Sequence, residues 1–462
     1  MAVRLVHASF AIALAAARVA AADTIRDIVV EGNTKTTTAT VELIAKIDVG
    51  DDWTNDMVDR IKHDLVSSGL FRDVEAVSEA CGPTSTPACQ SAGVRVHLTV
   101  HDKHSWVIAP TFYNQPTNTG GGGGFGENNL FGENQKLLLY GQVATGDSFF
   151  IGAWVIPSIH GSRFYAQLDT WLKTSRVIEY EPPHAYTDNP IEVRQSRLNY
   201  LNGGFKLGVD LFWGLKLDAR LRGAYVYYSK VSAVTNDLTK ITSDPGATPD
   251  NLAKPGNEGY DVSNEISLAI DRRADWYGVR TGYRYQTSVE YSVPQLGSDF
   301  HYYIYNLSLW KGVQVLERHN LTAQANINVG HHLPFQQEFT MGGTSMRGYL
   351  NDQFRGDLRV MANLEYSLPL FTILGLSVRG LGFFDSGYTT FLTNDTNPER
   401  NYLPRSGRND AGNSTLAPFK NSVGVGTRLY LRQIVIPLLG VDFGYGLEAR
   451  DFQLYLAIGL TT

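Results

Sequence analysis

In the stretch Leu215-Lys216-Leu217-Asp218-Ala219-Arg220-Leu221-Arg222, one set of alternate positions is entirely apolar and the other entirely charged. Only an extended strand with two unlike faces accommodates that pattern, because side chains alternate sides with a period of two. A soluble sheet would bury the apolar face and leave the charged one to water. A membrane barrel turns the apolar face to lipid and the charged face to a wet lumen. Arg163 to Leu172 repeats the pattern, with Phe164, Ala166, Leu168 and Leu172 on one side and Arg163, Gln167 and Asp169 on the other. So do Leu358 to Leu368, where Arg359, Asn363 and Glu365 share a face, and Phe452 to Leu460, where Phe452, Leu454, Leu456 and Ile458 do.

Sixteen such segments are legible: 105–113, 119–128, 135–145, 148–157, 162–173, 194–210, 215–229, 262–272, 280–291, 300–311, 319–330, 356–368, 375–385, 420–430, 437–445 and 451–460. An even number suits a single-chain antiparallel barrel. The connections provide a separate check. The long ones, 174–193, 230–261, 331–355 and 386–419, all join an odd segment to the next even one. The others are short, such as Ile159-His160-Gly161 and Phe212-Trp213-Gly214. Long loops at one end and short turns at the other are the asymmetry of outer-membrane barrels, and a wrong count would scramble it. Mean hydropathy of −0.18 does not conflict, since a barrel dilutes its apolar face with lumenal residues, and the mature chain lacks the apolar run of about 20 residues that a membrane helix needs. The softest segment is the second, 119–128, which contains Gly120 to Gly124; glycine weakens a strand and permits close backbone approach. The GxGxxG match within this run is followed by no helical pattern, so it is no dinucleotide site.

Residues 1–22 read as a secretory signal, with Arg4, an apolar stretch from Val6 to Ala17, and Ala20-Ala21-Ala22 as the cleavage site before Asp23. In an exported chain the two cysteines, Cys81 and Cys89, pair locally as a disulfide. They lack further ligands for a metal site. A net charge of −6 with no basic stripe implies no nucleic-acid partner. Residues 23–103 form a separate β-α-α-β-β module. Ile25 to Val30 is a strand; Thr37 to Ile47 and a second segment capped by Thr54 and ended by Gly69 have helical spacing; Val74 to Ser78 and Val94 to Val100 alternate as paired strands. The barrel spans 104–462.

The segments Gly69-Leu70-Phe71-Arg72-Asp73-Val74 and Val30-Glu31-Gly32-Asn33-Thr34 resemble the polypeptide-transport-associated (POTRA) domain. That resemblance implies a periplasmic module whose strand after the Gly-Leu-Phe turn, at Val74, Glu75, Ala76 and Val77, offers an open edge to a client strand. Main-chain groups carry such pairing, so it tolerates many sequences. The alternative is a spacer without a binding role. The loop Gly342-Gly343-Thr344-Ser345-Met346-Arg347-Gly348-Tyr349, with Asn363-Leu364-Glu365-Tyr366 and Gly382-Phe383-Phe384-Asp385-Ser386-Gly387, resembles the BamA superfamily of outer-membrane barrels, which includes the assembly barrels and the two-partner-secretion transporters. By period two, Glu365, Phe383 and Asp385 face the lumen from adjacent strands. Arg347 can engage both acids in a fixed fork, Gly348 lets the backbone turn, and Tyr349 can stack near Phe383. The expectation is a loop folded into the barrel and locked by Arg347, Gly348, Tyr349, Glu365, Phe383 and Asp385.

Two departures from the family are plain: there is room for one POTRA domain only, and the chain ends Gly459-Leu460-Thr461-Thr462 without a terminal aromatic. The resemblance implies a bacterial outer-membrane location and a factor that inserts or exports β-rich clients. Its partners would be membrane lipids, unfolded outer-membrane or secreted proteins, and periplasmic accessory proteins, with no cofactor. A polypeptide secretion pore plugged by the loop, and a passive channel with Lys216, Arg220 and Arg222 setting anion preference, are the alternatives. An enzyme is not expected: there is no GxSxG, P-loop or HExxH, and His331-His332 have no acid at ligand spacing.

Overall fold

The computed structural model describes residues 23–458 except 55, 83–86, 181–190, 213, 242–243, 277, 374–375, 393–418 and 432–436. The signal segment and the C-terminal four residues lie outside the described residues, as does most of the expected loop 386–419. The chain divides into a small unit, which runs to Ser105 and includes Phe131–Glu133, and a barrel made of the rest.

In the small unit, the strands Asp23–Glu31, Asp52–Trp53, Phe71–Ala80 and Val94–Asp102 form one sheet. Val94–Asp102 is central, parallel to Asp23–Glu31 and antiparallel to Phe71–Ala80, and Phe71–Ala80 is an edge. The helices Thr38–Ala45 and Met57–Ser67 cover one face. Val41, Ile61 and Leu65 from the helices and Ile25, Val96, Leu98 and Val100 from the sheet are fully enclosed. Thr37 caps the first helix by accepting the Thr40 N–H. Thr54 does not cap the second. Its carbonyl accepts the Met57 N–H in a preceding turn, so the helix starts later, with Asp56 at the cap position and no side-chain cap bond. The two-residue strand Asp52–Trp53 is too short for alternation to reveal.

The end of the central strand fixes the turn after the first. The Asp102 carboxylate accepts the Thr34 and Lys35 N–H groups, both at 2.7 Å, the Thr36 N–H at 3.3 Å and the Thr36 hydroxyl. Burial alone would push this carboxyl up, but the Thr36 hydroxyl and the three amides outweigh it and bring it from 3.8 to about 2. A depressed folded value means the contribution is complete above about pH 4 and is lost as pH falls through about 2. Amide exchange of Thr34 to Thr36 is therefore expected to be faster in Asp102→Asn than in wild type at pH 5, with the difference closing near pH 2. Equal protection at pH 5 would show that the carboxylate does not hold the turn.

The barrel strands are, in order, Trp106–Gln115, Asn118–Leu130, Gln135–Ala144, Asp147–Ile156, Phe164–Tyr180, Glu192–Asp210, Leu215–Ala233 and Gly259–Asp271. Val279–Ser292, Tyr302–Gln314, Asn320–His331, Leu358–Ile373, Leu376–Thr390, Lys420–Leu431, Pro437–Gly446 and Asp451–Ile458 complete the set. The sheet closes antiparallel throughout. Ala274–Trp276 continues the eighth strand beyond a kink and pairs with the same ninth strand, so the barrel has sixteen strands. No described helix is long and apolar enough to cross a membrane; the strands do so.

Alternation fixes the faces. Leu221 and Ile266 point out, 50% and 53% exposed, while Asp218, Arg220 and Arg222 point in and are paired. Tyr225, Tyr260, Tyr291, Tyr303 and Tyr305 sit on the outward face toward the long loops, in cross-strand register. Phe164, Phe212, Tyr283 and Tyr285 lie toward the short turns. Aromatic rings at both ends of an apolar band are the mark of a membrane-spanning barrel.

The fifth and sixth strands run further than alternation suggested, to Tyr180 and from Glu192, so part of the expected loop 174–193 is sheet. The polar residues that made it look like loop pair across the two strands instead. The Arg194 guanidinium donates to both Glu179 oxygens, at 2.8 and 2.7 Å, and is almost fully buried. The glycine run of the second strand is continuous sheet, hydrogen-bonded on both sides. A Cβ on Gly122 would stand 2.0 Å from the Gly141 carbonyl oxygen, so this strand requires glycine there. At the closure the described residues end at Ile458; up to there the sixteenth and first strands share the pairs Leu456↔Asn114, Ala457↔Tyr113 and Ile458↔Phe112, while Asp451 to Tyr455 pair with the fifteenth strand and not with the first.

Candidate functional site: the loop inside the barrel

Between the eleventh and twelfth strands the chain turns inward. Its two arms pair as a small hairpin, Phe339–Met341 with Phe354–Gly356, and the tip carries the Gly-Gly-Thr-Ser-Met-Arg-Gly-Tyr sequence. Gly342, Gly343 and Gly348 take φ of +127°, +63° and +95°, which glycine adopts without strain. Met346 and Tyr349 are buried, and Arg347 is 6% exposed.

Arg347 is held from several strands. Its Nε and Nη2 donate to the two Asp385 oxygens at 2.9 and 2.8 Å, and its backbone N–H donates to Asp385 at 3.2 Å. Nη1 donates to Glu365 Oε1 at 2.6 Å and lies 3.6 Å from Asp442 Oδ2. The guanidinium carbon is 3.4 Å from the Phe383 ring centroid, a cation–π stack. Glu365 and Phe383 are register partners on adjacent strands, as are Asn363 and Asp385. The Asn363 amide adds a 2.9 Å bond to Asp385, which is fully buried. A planar fork facing two carboxylates over an aromatic ring suits arginine and not lysine.

Tyr349 does not stack on Phe383, because the guanidinium occupies that ring. It packs edge-on against Phe354 at 5.3 Å, and its hydroxyl donates to the Asn421 carbonyl at 3.0 Å and bonds Glu448. Tyr455 of the last strand grips the tip backbone: its hydroxyl accepts the Gly348 N–H at 3.0 Å and donates to the Tyr349 carbonyl at 2.8 Å. A Cβ on Gly348 would lie 2.5 Å from the Gly446 nitrogen, and one on Gly444 would lie 2.6 Å from the Gly348 nitrogen. The loop backbone rests directly on the wall there. Asp442, Gly444, Gly446, Glu448 and Tyr455 escaped the sequence reading. Their signal was the parity of Asp442-Phe443-Gly444-Tyr445-Gly446, which places an acid and two glycines on one inward row.

The other sequence-derived positions are readily placed. Val74, Glu75, Ala76 and Val77 lie on the edge strand; Ala76 is buried in the core and Val77 is 51% exposed. Cys81 and Cys89 are disulfide-bonded. His331 and His332 stack at 4.1 Å, with His301 at 6.4 Å from His332, and no cluster able to hold a metal occurs among the described residues. The lumenal cations are not free: Lys216 faces Asp210 at 3.4 Å, Arg220 faces Asp169 at 2.5 Å and Arg222 faces Glu290 at 2.5 Å.

Sixteen strands, an aromatic-banded exterior and a loop held against the inner wall through Arg347 define an outer-membrane β-barrel with a loop folded into its lumen. The Omp85 superfamily domain matches residues 129–458, and the chain belongs to that superfamily. The family-level role is outer-membrane protein assembly or secretion. Among solved structures the chain is similar to BamA from Haemophilus ducreyi lacking POTRA domains 1–3, at TM-score 0.65 and 14% identity over 95% of this chain and 85% of that one. It is also similar to CdiB from Acinetobacter baumannii, at TM-score 0.58 and 14% identity over 95% and 74%. CdiB from Escherichia coli gives 0.54 and 13% over 96% and 92%. At these identities the likeness is one of fold. No curated protein sequence matches the chain.

Proposed function

We propose that the protein receives unfolded β-rich polypeptides in the periplasm through a POTRA domain at 23–103 and inserts them into, or exports them across, the outer membrane. The observation that carries this reading is at the closure, where among the described residues Asp451 to Tyr455 of the last strand pair with the fifteenth strand but not with the first, and so leave main-chain groups for an incoming strand. Support comes from the edge strand Phe71–Ala80, where Val74 to Val77 present a second open row; periplasmic accessory proteins would deliver such clients. A secretion pore plugged by the loop is the second reading, favoured by the loop's contacts with many strands of the wall. A passive anion channel is disfavoured because Lys216, Arg220 and Arg222 each face an acid.

Reconstitution into liposomes tests the proposal. Wild type is expected to speed the folding of a small unfolded outer-membrane barrel by about tenfold or more over empty liposomes, a barrier change of roughly 1.4 kcal/mol. Arg347→Ala is expected to lose most of that gain. No acceleration by wild type would leave the plugged pore as the better reading.

A further inference from the structure

The Arg347 lock touches strands twelve to sixteen. The root of the same loop sits against the opposite wall and shares no partner with that lock. Leu333 and Phe335, both fully enclosed, pack among Leu198, Tyr200, Val226 and Tyr302. Phe335 meets Tyr228 edge-on at 5.9 Å. The Gln336 side-chain oxygen accepts the Tyr228 hydroxyl at 3.1 Å, and the Gln337 amide donates to Asp261 Oδ2 at 2.8 Å.

Asp261 belongs to a buried charge network on the barrel wall. Tyr302 donates to it at 2.8 Å, and Arg222 bonds Tyr302 at 2.8 Å and Glu290 at 2.5 Å. Two acids share one guanidinium here, so the amide of Gln337 completes the satisfaction of Asp261. Arg355, on the outgoing arm, lies over the Phe335 ring at 4.2 Å and donates to the Phe335 carbonyl at 3.0 Å, tying the two arms together. This seat has an apolar anchor, two side-chain hydrogen bonds to the wall and a cross-brace, although Gln336 Nε2 and Arg222 Nε are buried without a partner.

We propose that the loop is held by two separable anchors, the Arg347 tip and the Phe335–Gln337 root, and that the lumen opens only when both are released. Sites with no shared partners contribute independently, so removing one leaves the other in place. The inference goes beyond the proposed function: it concerns occlusion alone, and its test needs no client protein.

Conductance of the full chain in planar bilayers is the test, comparing wild type, Arg347→Ala, the pair Phe335→Ala with Gln337→Ala, all three together, and a chain lacking 335–355. The triple variant is expected to match the loop-deleted chain within about twofold, with each partial variant below about a tenth of that level. These substitutions lie in the loop, and heat-dependent gel mobility verifies that each barrel is folded. As a second readout, amide exchange across 335–337 is expected to be as slow in Arg347→Ala as in wild type. Full conductance in Arg347→Ala alone, loss of that protection, or a triple variant that stays closed would each overturn the two-anchor proposal.

Discussion

Asp385→Ala is expected to free the tip of the loop, and to do so far more than Glu365→Ala. Asp385 is fully buried and accepts three bonds from Arg347 and one from Asn363. Its loss leaves a guanidinium enclosed without its main counter-charge, at a cost of about 3 kcal/mol. Glu365 accepts one Arg347 bond and its side chain is a third exposed, so water screens the pair and about 1 kcal/mol is the ceiling. Amide exchange across 345–349 should therefore rise by about two orders of magnitude in Asp385→Ala and by less than tenfold in Glu365→Ala. The charge swap Arg347→Asp with Asp385→Arg should recover only part of the loss. The new Asp would face Glu365 and Asp442, which now serve the arginine. Similar exchange in the two single variants would mean that the fork to Asp385 is not the main hold.

The second large effect is expected at the closure. Cysteines at Asn114 and Leu456, which face each other across the first and last strands, should form a bond that fixes the seam. If clients enter through that seam, the bonded protein should add nothing to the folding rate in empty liposomes, and reductant should restore wild-type acceleration. An Asn118–Gln115 pair fixed in the same way, between two strands already joined along their length, is the control for the reductant acting on Cys81–Cys89. Full activity of the bonded seam would move client passage to the lumen.

Much of the barrel was open to sequence reading because alternation is a local property that burial on neither face overrides. Leu215 to Arg222 declares its two faces without help from its neighbours, and loop lengths then fix the parity. What escaped depended on partners distant in sequence. Glu179 looks like loop until it is seen across the strand pair from Arg194. Arg347, Glu365 and Asp385 stand out because arginine among glycines and acids on inward rows are unusual. Tyr455 and Glu448 do not, since a tyrosine or an acid near a strand end has many ordinary uses. Tyr349 was assigned the wrong neighbour for a similar reason: parity places Phe383 on the inner wall but not which of two nearby groups covers it.

The missing side chains at Gly444 and Gly446 have a consequence for how the barrel itself is made. The wall there is hollow, and the backbone of Gly348 fills it. Every partner of the tip named above on strands twelve to sixteen, from Glu365 through Asn421 and Asp442 to Tyr455, follows the loop in the chain. The last five strands therefore close around the loop, and their inner faces are shaped to it. In that sense the loop is the form around which the final third of its own container is fitted.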